Sequence, residues 1–197
     1  MTPRRLAVLL SGRGSNFEAI ADAVAAGRIP GAEIVAVISD VAEAPGLARA
    51  RARGLPSHAV DRKAIPSRRD REREMLAILD RARPDLVCLA GYMRVLSPEF
   101  VGRFRGRILN IHPAMLPKFP GLDAQRRAIE AGEEESGCTV HFVDEGTDTG
   151  PIVLQKKVPI LPGDTEESLS ARILEREHEA YPEAIARVLD EIERRRS

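Results

Sequence analysis

Tryptophan is absent from this sequence of 197 residues, and aromatic side chains make up only 4% of it. A core with so few aromatic rings has to be aliphatic, and the 43% of hydrophobic residues is ample for a core at this length. No internal repeat or low-complexity stretch divides the chain. We therefore expect one domain over residues 1–197.

An excess of charge of either sign is also missing, because thirty basic side chains balance thirty acidic ones. General binding to nucleic acid depends on clustered cations that neutralise phosphates, so we expect no nucleic-acid partner. The arginine runs at 68–73 and 194–196 are interpreted as solvated helix faces and a tail.

Cysteine and long apolar runs are scarce as well. Cys88 and Cys138 have no CxxC partner, which argues against a disulfide framework or a zinc knuckle. The first apolar run, residues 6–10, is too short for a signal peptide, and no run of about 18 apolar residues follows. We expect a soluble, cytoplasmic protein without a membrane partner.

Short apolar runs alternate with longer polar segments, which predicts an α/β fold. Four runs have the character of fully buried strands: residues 6–10, 34–38, 86–90 and 108–111. Three segments between them have helical spacing: residues 16–26, 46–53 and 67–83. This order is typical of right-handed βαβ units, with a mostly parallel central sheet and helices on both faces.

The pattern changes after Gly121. Residues 139–143 alternate between apolar and polar, and residues 152–158 follow after a short connection, which predicts antiparallel C-terminal additions to the sheet. A long helix is predicted over residues 166–194, with a kink or break at Pro182.

The first strand leads into a glycine-rich turn, SGRGSN, and then a helix. Unpaired N–H groups and the helix dipole make such a turn an anion site, and Ser15 and Asn16 could cap the helix or bind a phosphate. A Walker A loop would need a lysine, and a dinucleotide fingerprint a third glycine where Phe17 stands. Asp40 could still act as the ribose-binding acid of a dinucleotide site. A phosphate on a small metabolite fits best, and a tight turn that binds nothing is the alternative.

The strand at 108–111 ends in polar residues, in the stretch ILNIHPAMLP. Residues i and i+2 of a strand share a face, so Asn110 and His112 project together where open α/β sheets bind ligands. Pro113 keeps His112 extended. An amide that can stabilise an oxyanion beside an imidazole that can move a proton is suited to acyl chemistry.

The loop DEGTDTGP supplies a third candidate, Asp148, which Gly150 and Pro151 would hold in place. An aspartate beside His112 would orient the ring and raise its pKa. A solvated turn is the plain alternative. His112, His141 and Asp148 could also form a metal set, but no close-spaced metal pattern occurs, and we expect no metal.

In the last helix, Glu177 falls on an apolar stripe with Ile173, Tyr181 and Ile185. A buried carboxylate needs partners. Two remain open at this point: an arginine, or the hydroxyl groups of a ligand.

Together these segments resemble the phosphoribosylglycinamide formyltransferases, the folate-dependent enzymes of de novo purine biosynthesis. The similarity runs in order through SGRGSN, AGYMRVLSPEF, ILNIHPAMLPKFPG, GCTVHFVDEGTDTGPI and EHEAYP. It implies a Rossmann-like formyltransferase fold. It also implies transfer of the formyl group of 10-formyltetrahydrofolate to the amine of 5'-phosphoribosylglycinamide, also called glycinamide ribonucleotide.

The resemblance implies site residues too. Its catalytic trio is Asn110, His112 and Asp148, and its ribose-binding carboxylate is Glu177. Its phosphate loop comprises Gly12, Arg13, Gly14, Ser15 and Asn16. Its folate site comprises Arg68, Met93, Arg94, Val95, Leu96, Asp144, Glu145, Gly146 and Thr147. Asp123 and Gln125 stand where some members carry histidines, so no catalytic role is assigned to 121–126.

The expected mechanism is direct attack of the amine on the formyl carbon through a tetrahedral intermediate. A 10-formyltetrahydrofolate hydrolase and a non-catalytic protein that binds a phosphorylated metabolite are the alternatives. Relatives with an added RNA-binding or regulatory domain are not expected, because 197 residues leave no room for one. Both a monomer and a homodimer are compatible with the sequence.

Overall fold

The computed structural model describes residues 3–195. Within them, seven strands form one sheet in the order β3-β2-β1-β4-β5-β6-β7. The strands are β1 (Arg4–Leu10), β2 (Ala32–Ser39), β3 (Ser57–Ala59), β4 (Leu86–Leu89), β5 (Ile108–His112), β6 (Glu135–Phe142) and β7 (Ile152–Pro159). The helices are α1 (Ser15–Ala25), α2 (Pro45–Ala52), α3 (Arg68–Ala82), α4 (Pro98–Arg103), α5 (Ala124–Glu130) and α6 (Glu166–Arg194).

Strands β1 to β5 pair in parallel, whereas β6 pairs antiparallel with both β5 and β7. This confirms the prediction of a mostly parallel sheet with antiparallel C-terminal additions. The chain leaves β1 toward one edge through β2 and β3 and returns to the other side of β1 as β4. The loops after β1 and β4 therefore diverge, which opens a crevice at the carboxyl edge of the sheet.

The core lies on both faces of the sheet. In β1, Leu6 and Val8 pack in a cluster with residues of α1, α2 and α6, while Ala7 and Leu9 pack in a second cluster with residues of α3 and α4. All four side chains are fully buried. A strand buried on both faces has no polar alternation, which is why its sequence is one continuous apolar run.

The predicted helices and strands are confirmed with shifts of a few residues at their ends, but three short elements were missed. Strand β3, helix α4 and helix α5 have 3, 6 and 7 residues, too few for a periodicity to emerge. The predicted break at Pro182 is wrong, because α6 is continuous through it. Pro182 is buried there, and the packing of this face onto the sheet outweighs one lost backbone hydrogen bond.

Candidate active site

Polar side chains from β5, β6 and the loop between β6 and β7 meet at the carboxyl edge of the sheet. Asn110 and His112 share one face of β5, as their spacing predicts. In the antiparallel pairing, Asn110 stands opposite His141 of β6. His112 is 5% exposed and His141 is 2% exposed, so the two imidazoles sit in a largely dry environment.

Asp148 connects the two histidines. Its Oδ2 lies 3.3 Å from Nδ1 of His112, and its Oδ1 lies 3.4 Å from Nε2 of His141. The backbone N–H of Gly121 donates to Oδ2 over 2.8 Å. Asp148 has a φ of 55°, the left-handed region that aspartate tolerates better than most residues. The predicted trio is thus brought into one cluster.

Gly150 allows the loop to approach β6 closely. A Cβ atom added there would stand 1.9 Å from the carbonyl oxygen of Phe142, so no other residue fits without moving backbone. The tight return of the chain at Gly150 holds Asp148 over the two imidazoles.

Burial raises the pKa of Asp148, but three contacts lower it by more. They are the hydrogen bond from His141, the N–H of Gly121 and the positive charge of His112, and the net pKa lies below the ordinary value for aspartate. The carboxylate is therefore ionised throughout the neutral range and can hold positive charge on an imidazole beside it.

His141 is a site residue that our sequence analysis weighed only as a metal ligand. Its Nδ1 lies 2.8 Å from the carbonyl oxygen of Phe142, and its Nε2 lies 3.3 Å from Nδ2 of Asn110. With the proton on Nδ1, Nε2 accepts from Asn110, and a second proton on Nε2 would face Asp148.

The loop that joins β5 to α5, residues 113–123, closes over His112. The carbonyl oxygen of Phe119 lies 2.8 Å from Nε2 of His112. With Asp148 at Nδ1, both ring nitrogens face acceptors, so the ring can donate at both positions only as an imidazolium.

The glycine turn after β1 presents its backbone to the crevice. Gly14 is the N-cap of α1, and no side chain caps the helix, so the proposed capping by Ser15 or Asn16 is wrong. Gly14 has a φ of 79°, and a Cβ there would stand 2.6 Å from Cα of Gly46. The uncapped N–H groups of the first turn remain available to an anion. Gly12 and Arg13 are exposed.

Glu177 is 7% exposed, which confirms its predicted core-facing position on α6. Its partner is Asn16 rather than an arginine, with Nδ2 of Asn16 donating over 2.8 Å. Burial raises the pKa of Glu177 to about 7, against the lowering effect of that hydrogen bond. Oδ1 of Asn16 is buried without a hydrogen-bond partner among the described residues, so one acceptor beside Glu177 remains free for a donor from a ligand.

Asp40, the candidate ribose acid of a dinucleotide site, faces the protein interior. Its carboxylate is fully buried and accepts a 2.6 Å hydrogen bond from the hydroxyl of Ser11. That hydroxyl in turn accepts from the N–H of Met93 over 3.0 Å. Asp40 therefore ties the loop after β1 to the loop after β4 and offers no oxygen to a ribose.

The predicted folate residues lie along the loop after β4, the start of α3 and the loop after β6. Arg68, Arg94 and Val95 line one cleft of about 220 Å³, together with Arg71, Glu72 and Tyr92. Met93 is exposed, whereas Leu96 is 7% exposed and packs in the second core cluster. Asp144 accepts hydrogen bonds from the N–H of Gly146 and the hydroxyl of Thr149, which shapes the loop that carries Glu145 and Thr147.

Within residues 3–195, no group of three His, Cys, Asp or Glu side chains is arranged to hold a metal ion. No helix in this part of the chain is long and apolar enough to cross a membrane.

Several known proteins are similar to this chain in sequence and in structure. The chain is 48% identical over 181 residues to phosphoribosylglycinamide formyltransferase from Escherichia coli strain K12. The aligned residues cover 92% of this chain and 85% of that protein. It is 54% identical over 184 residues, or 93% of its length, to the trifunctional purine biosynthetic protein adenosine-3 of Drosophila pseudoobscura pseudoobscura, and spans only 14% of that protein. The crystal structure of phosphoribosylglycinamide formyltransferase from Brucella melitensis superposes with a TM-score of 0.90 at 50% identity, over 95% of this chain and 96% of that one.

These likenesses confirm the predicted Rossmann-like formyltransferase fold. The model of the formyl transferase family matches residues 4–185, which include every strand and most of α6. The chain is therefore a member of the formyl transferase family.

Proposed function

We propose that this protein transfers the formyl group of 10-formyltetrahydrofolate to the amine of 5'-phosphoribosylglycinamide in de novo purine biosynthesis. The observation that carries the proposal is the cluster of Asn110, His112 and Asp148 at the same carboxyl edge of the sheet as an uncapped anion loop. The cluster suits acyl transfer, and the loop suits a phosphorylated acceptor.

The reaction begins when the amine of the ribonucleotide attacks the formyl carbon and forms a new C–N bond. The formyl oxygen gains negative charge as the tetrahedral intermediate forms. The amide N–H of Asn110 and Nε2–H of His112 donate to that oxygen. In the structure, Nε2 of His112 lies 2.8 Å from the carbonyl oxygen of Phe119, so the formyl oxygen would replace that carbonyl as its hydrogen-bond acceptor.

The proton then moves from the attacking amine to the leaving folate nitrogen, whose bond to the formyl carbon breaks. Asp148 holds the positive charge of His112 through Nδ1, at 3.3 Å, and carries the proton through a water molecule. No covalent intermediate on the enzyme and no oxidant or reductant is needed, because the formyl group passes directly from one nitrogen to another.

The substrates would bind on either side of this cluster. The N–H groups of Gly12, Arg13, Gly14, Ser15 and Asn16 would hold the phosphate, and Glu177 would accept from the ribose hydroxyls. The exposed side chains of Met93 and Val95 would contact the folate rings together with Arg94, and Arg68 would lie toward the folate's glutamate. The loop 144–147 would contribute its backbone.

We also propose that residues 1–197 act as a single catalytic domain in the cytoplasm, without a metal and without nucleic-acid or membrane partners. The neutral charge balance supports the absence of a nucleic-acid partner. One sheet with cores on both of its faces supports the single domain.

The test is an absorbance assay of 10-formyl folate deformylation, run with and without glycinamide ribonucleotide. We expect turnover only with the ribonucleotide. His112→Ala should lower kcat by about 10³-fold, the scale of losing a proton-transfer group and an oxyanion donor. His58→Ala, on the distant β3, is the matched control and should retain activity.

Each other result has a distinct meaning. Formate release without the ribonucleotide would identify a hydrolase and contradict the proposal. Tight binding of the ribonucleotide with no turnover in the wild-type protein would identify a binding protein.

A further inference from the structure

The loop between β5 and α5 touches both members of the His112–Asp148 pair. Its Phe119 carbonyl accepts from Nε2 of His112, and its Gly121 N–H donates to Oδ2 of Asp148, both over 2.8 Å. The position of the loop backbone therefore affects the orientation of both the His112 ring and the Asp148 carboxylate.

The two ends of this loop are held very differently. At its start, the N–H of Leu116 donates to Thr139 and its carbonyl accepts from Gln155, within the buried part of the sheet. At its tip, Leu122 is 81% exposed, so little apolar burial holds the backbone there.

The conformation of the tip is also intrinsically unfavourable. Phe119 has a φ of 54°, in the left-handed region that is sterically unfavourable for an L-residue with a bulky side chain. Such a conformation persists only where surrounding contacts enforce it.

Arg127, in α5, makes those contacts. Its Nη1 donates to the carbonyl oxygen of Pro120 over 2.6 Å and lies 3.4 Å from that of Leu122. Its guanidinium carbon lies 5.6 Å from the centre of the Phe119 ring. One planar group thus contacts three of the four residues of the tip, at positions 119, 120 and 122. The nearby ion pair of Lys118 with Glu133 is exposed at the lysine and contributes little.

We propose that Arg127 is a positioning residue for formyl transfer, which fixes the backbone of residues 119–122 so that it keeps His112 and Asp148 in their reactive arrangement. This inference rests on the proposed function. Arg127 does not touch the reacting atoms. Its effect passes through the N–H of Gly121, which holds Asp148 against His112, while the carbonyl of Phe119 orients the ring until the substrate replaces it. The sequence did not reveal it, because helix α5 itself was missed.

The role requires arginine rather than any cation. Nη1 carries two N–H groups that face two carbonyl oxygens while the guanidinium carbon lies over the Phe119 ring, and a lysine ammonium, with one nitrogen, cannot reach the carbonyl groups and cover the ring at once. Lysine at this position would keep one donor and lose the ring contact. An intermediate effect of Arg127→Lys is therefore part of the expectation.

The experiment compares Arg127→Gln, Arg127→Lys and the matched control Arg126→Gln. Arg126 is the neighbour on the same helix and donates to the exposed side chain of Asp123, with no contact to the backbone of 119–122 among its hydrogen bonds. We expect Arg127→Gln to lower kcat by about tenfold with KM for both substrates changed less than threefold, Arg127→Lys to lie between, and Arg126→Gln to match the wild type.

A second readout needs no substrate. Amide hydrogen exchange of residues 119–122 should become at least tenfold faster in Arg127→Gln and stay unchanged in Arg126→Gln, with exchange in the core strands unaltered. A merely structural role would speed exchange across the domain instead. Faster exchange across the whole domain would overturn the proposal, and so would an unchanged kcat. A higher kcat would overturn it too, because it would mean that Arg127 holds the loop in a conformation that hinders the reaction.

The two proposals can fail separately. A wild-type protein that transfers no formyl group would contradict the proposed function, while the exchange measurement would still show whether Arg127 holds the loop. Normal formyl transfer with unchanged exchange in Arg127→Gln would contradict only the positioning role.

Discussion

Two neighbouring regions of the crevice differ in how far the chain satisfies its own polar groups. Around His112 and Asp148, both ring nitrogens and both carboxylate oxygens have partners from the chain. Around α1, by contrast, the helix has no side-chain cap, Oδ1 of Asn16 is buried without a partner, and burial raises the pKa of Glu177 to about 7. The first region is complete without a ligand, and the second is not.

The difference follows from what each region has to do. Groups that stabilise charge in a transition state act best when they are already oriented, since no reorganisation is then needed during the reaction. Groups that bind a substrate gain affinity by leaving donors and acceptors for it to satisfy, at the expense of stability without ligand. Changes in the first region should therefore alter kcat, and changes in the second should alter KM and stability.

Asp148→Asn tests the first region and should have the largest effect. An amide keeps the shape of the carboxylate but cannot hold the charge of His112, so we expect kcat to fall by about 10³-fold with little change in KM. Asp190→Asn, an exposed aspartate paired with Arg4 far from the crevice, is the matched control. An equal loss in kcat and affinity would show that the two regions are not separable.

Glu177→Gln tests the stability of the second region in the absence of substrate. The pKa of Glu177 is raised from 4.5 to about 7, so the folded state binds this proton more tightly than the unfolded state does. The wild type should therefore lose stability as the pH rises from about 4.5 through about 7, and Glu177→Gln should not. We expect the variant to be more stable at pH 8 by on the order of 3 kcal/mol, measured by urea unfolding of both proteins across this pH range. Parallel curves would show that the carboxylate is not buried in the ligand-free protein.

The same substitution tests substrate binding by this region. Above pH 7 the carboxylate accepts hydroxyl donors more strongly than an amide does, so Glu177→Gln should raise KM for the ribonucleotide about tenfold and leave KM for the folate unchanged. Glu179→Gln, two residues along the same helix and exposed, should behave as the wild type. A rise in the KM for the folate alone would contradict the proposed contact of Glu177 with the ribonucleotide.

His141→Gln tests the internal contacts of the first region and should have the smallest effect at neutral pH. The hydrogen bond from His141 is the largest contribution that lowers the pKa of Asp148, so its removal raises that pKa toward the ordinary value. The acid limb of the kcat profile should then move to higher pH, while kcat near pH 8 changes little, because Asp148 is ionised there in both proteins. An acid limb that stays in place would mean that Asp148 does not govern it.

The extent to which the sequence predicted the site depended on how local each signal was. Asn110 and His112 were identified together because strand geometry and Pro113 act within three residues. The role of His141 was missed because its segment of the sequence, residues 139–143, has an ordinary alternating pattern, and only the pairing of β6 with β5 places it opposite Asn110. Arg127 was missed for the same kind of reason, since its contacts depend on a loop conformation that no periodicity encodes.

Glu177 illustrates the boundary between the two kinds of information. Its place on the apolar stripe of α6 predicted burial and the need for a partner, but left an arginine and ligand hydroxyls equally open. The structure supplied Asn16, which is 161 residues away along the chain. Contacts of this kind arise from the packing of α1 against α6, which neither helix determines alone.

By itself, the sequence determined the alternation of buried strands and amphipathic helices, the glycine turn before α1 and the polar end of β5. These are consequences of steric limits and side-chain periodicity, which act over a few residues. Only the tertiary structure decided which of these pieces meet, because the order of strands in the sheet brings β5, β6 and the loop after β6 to one edge. The protonation preferences of Asp148 and Glu177 were decided at the same level, since a pKa depends on the burial and charges that the fold assembles around a group.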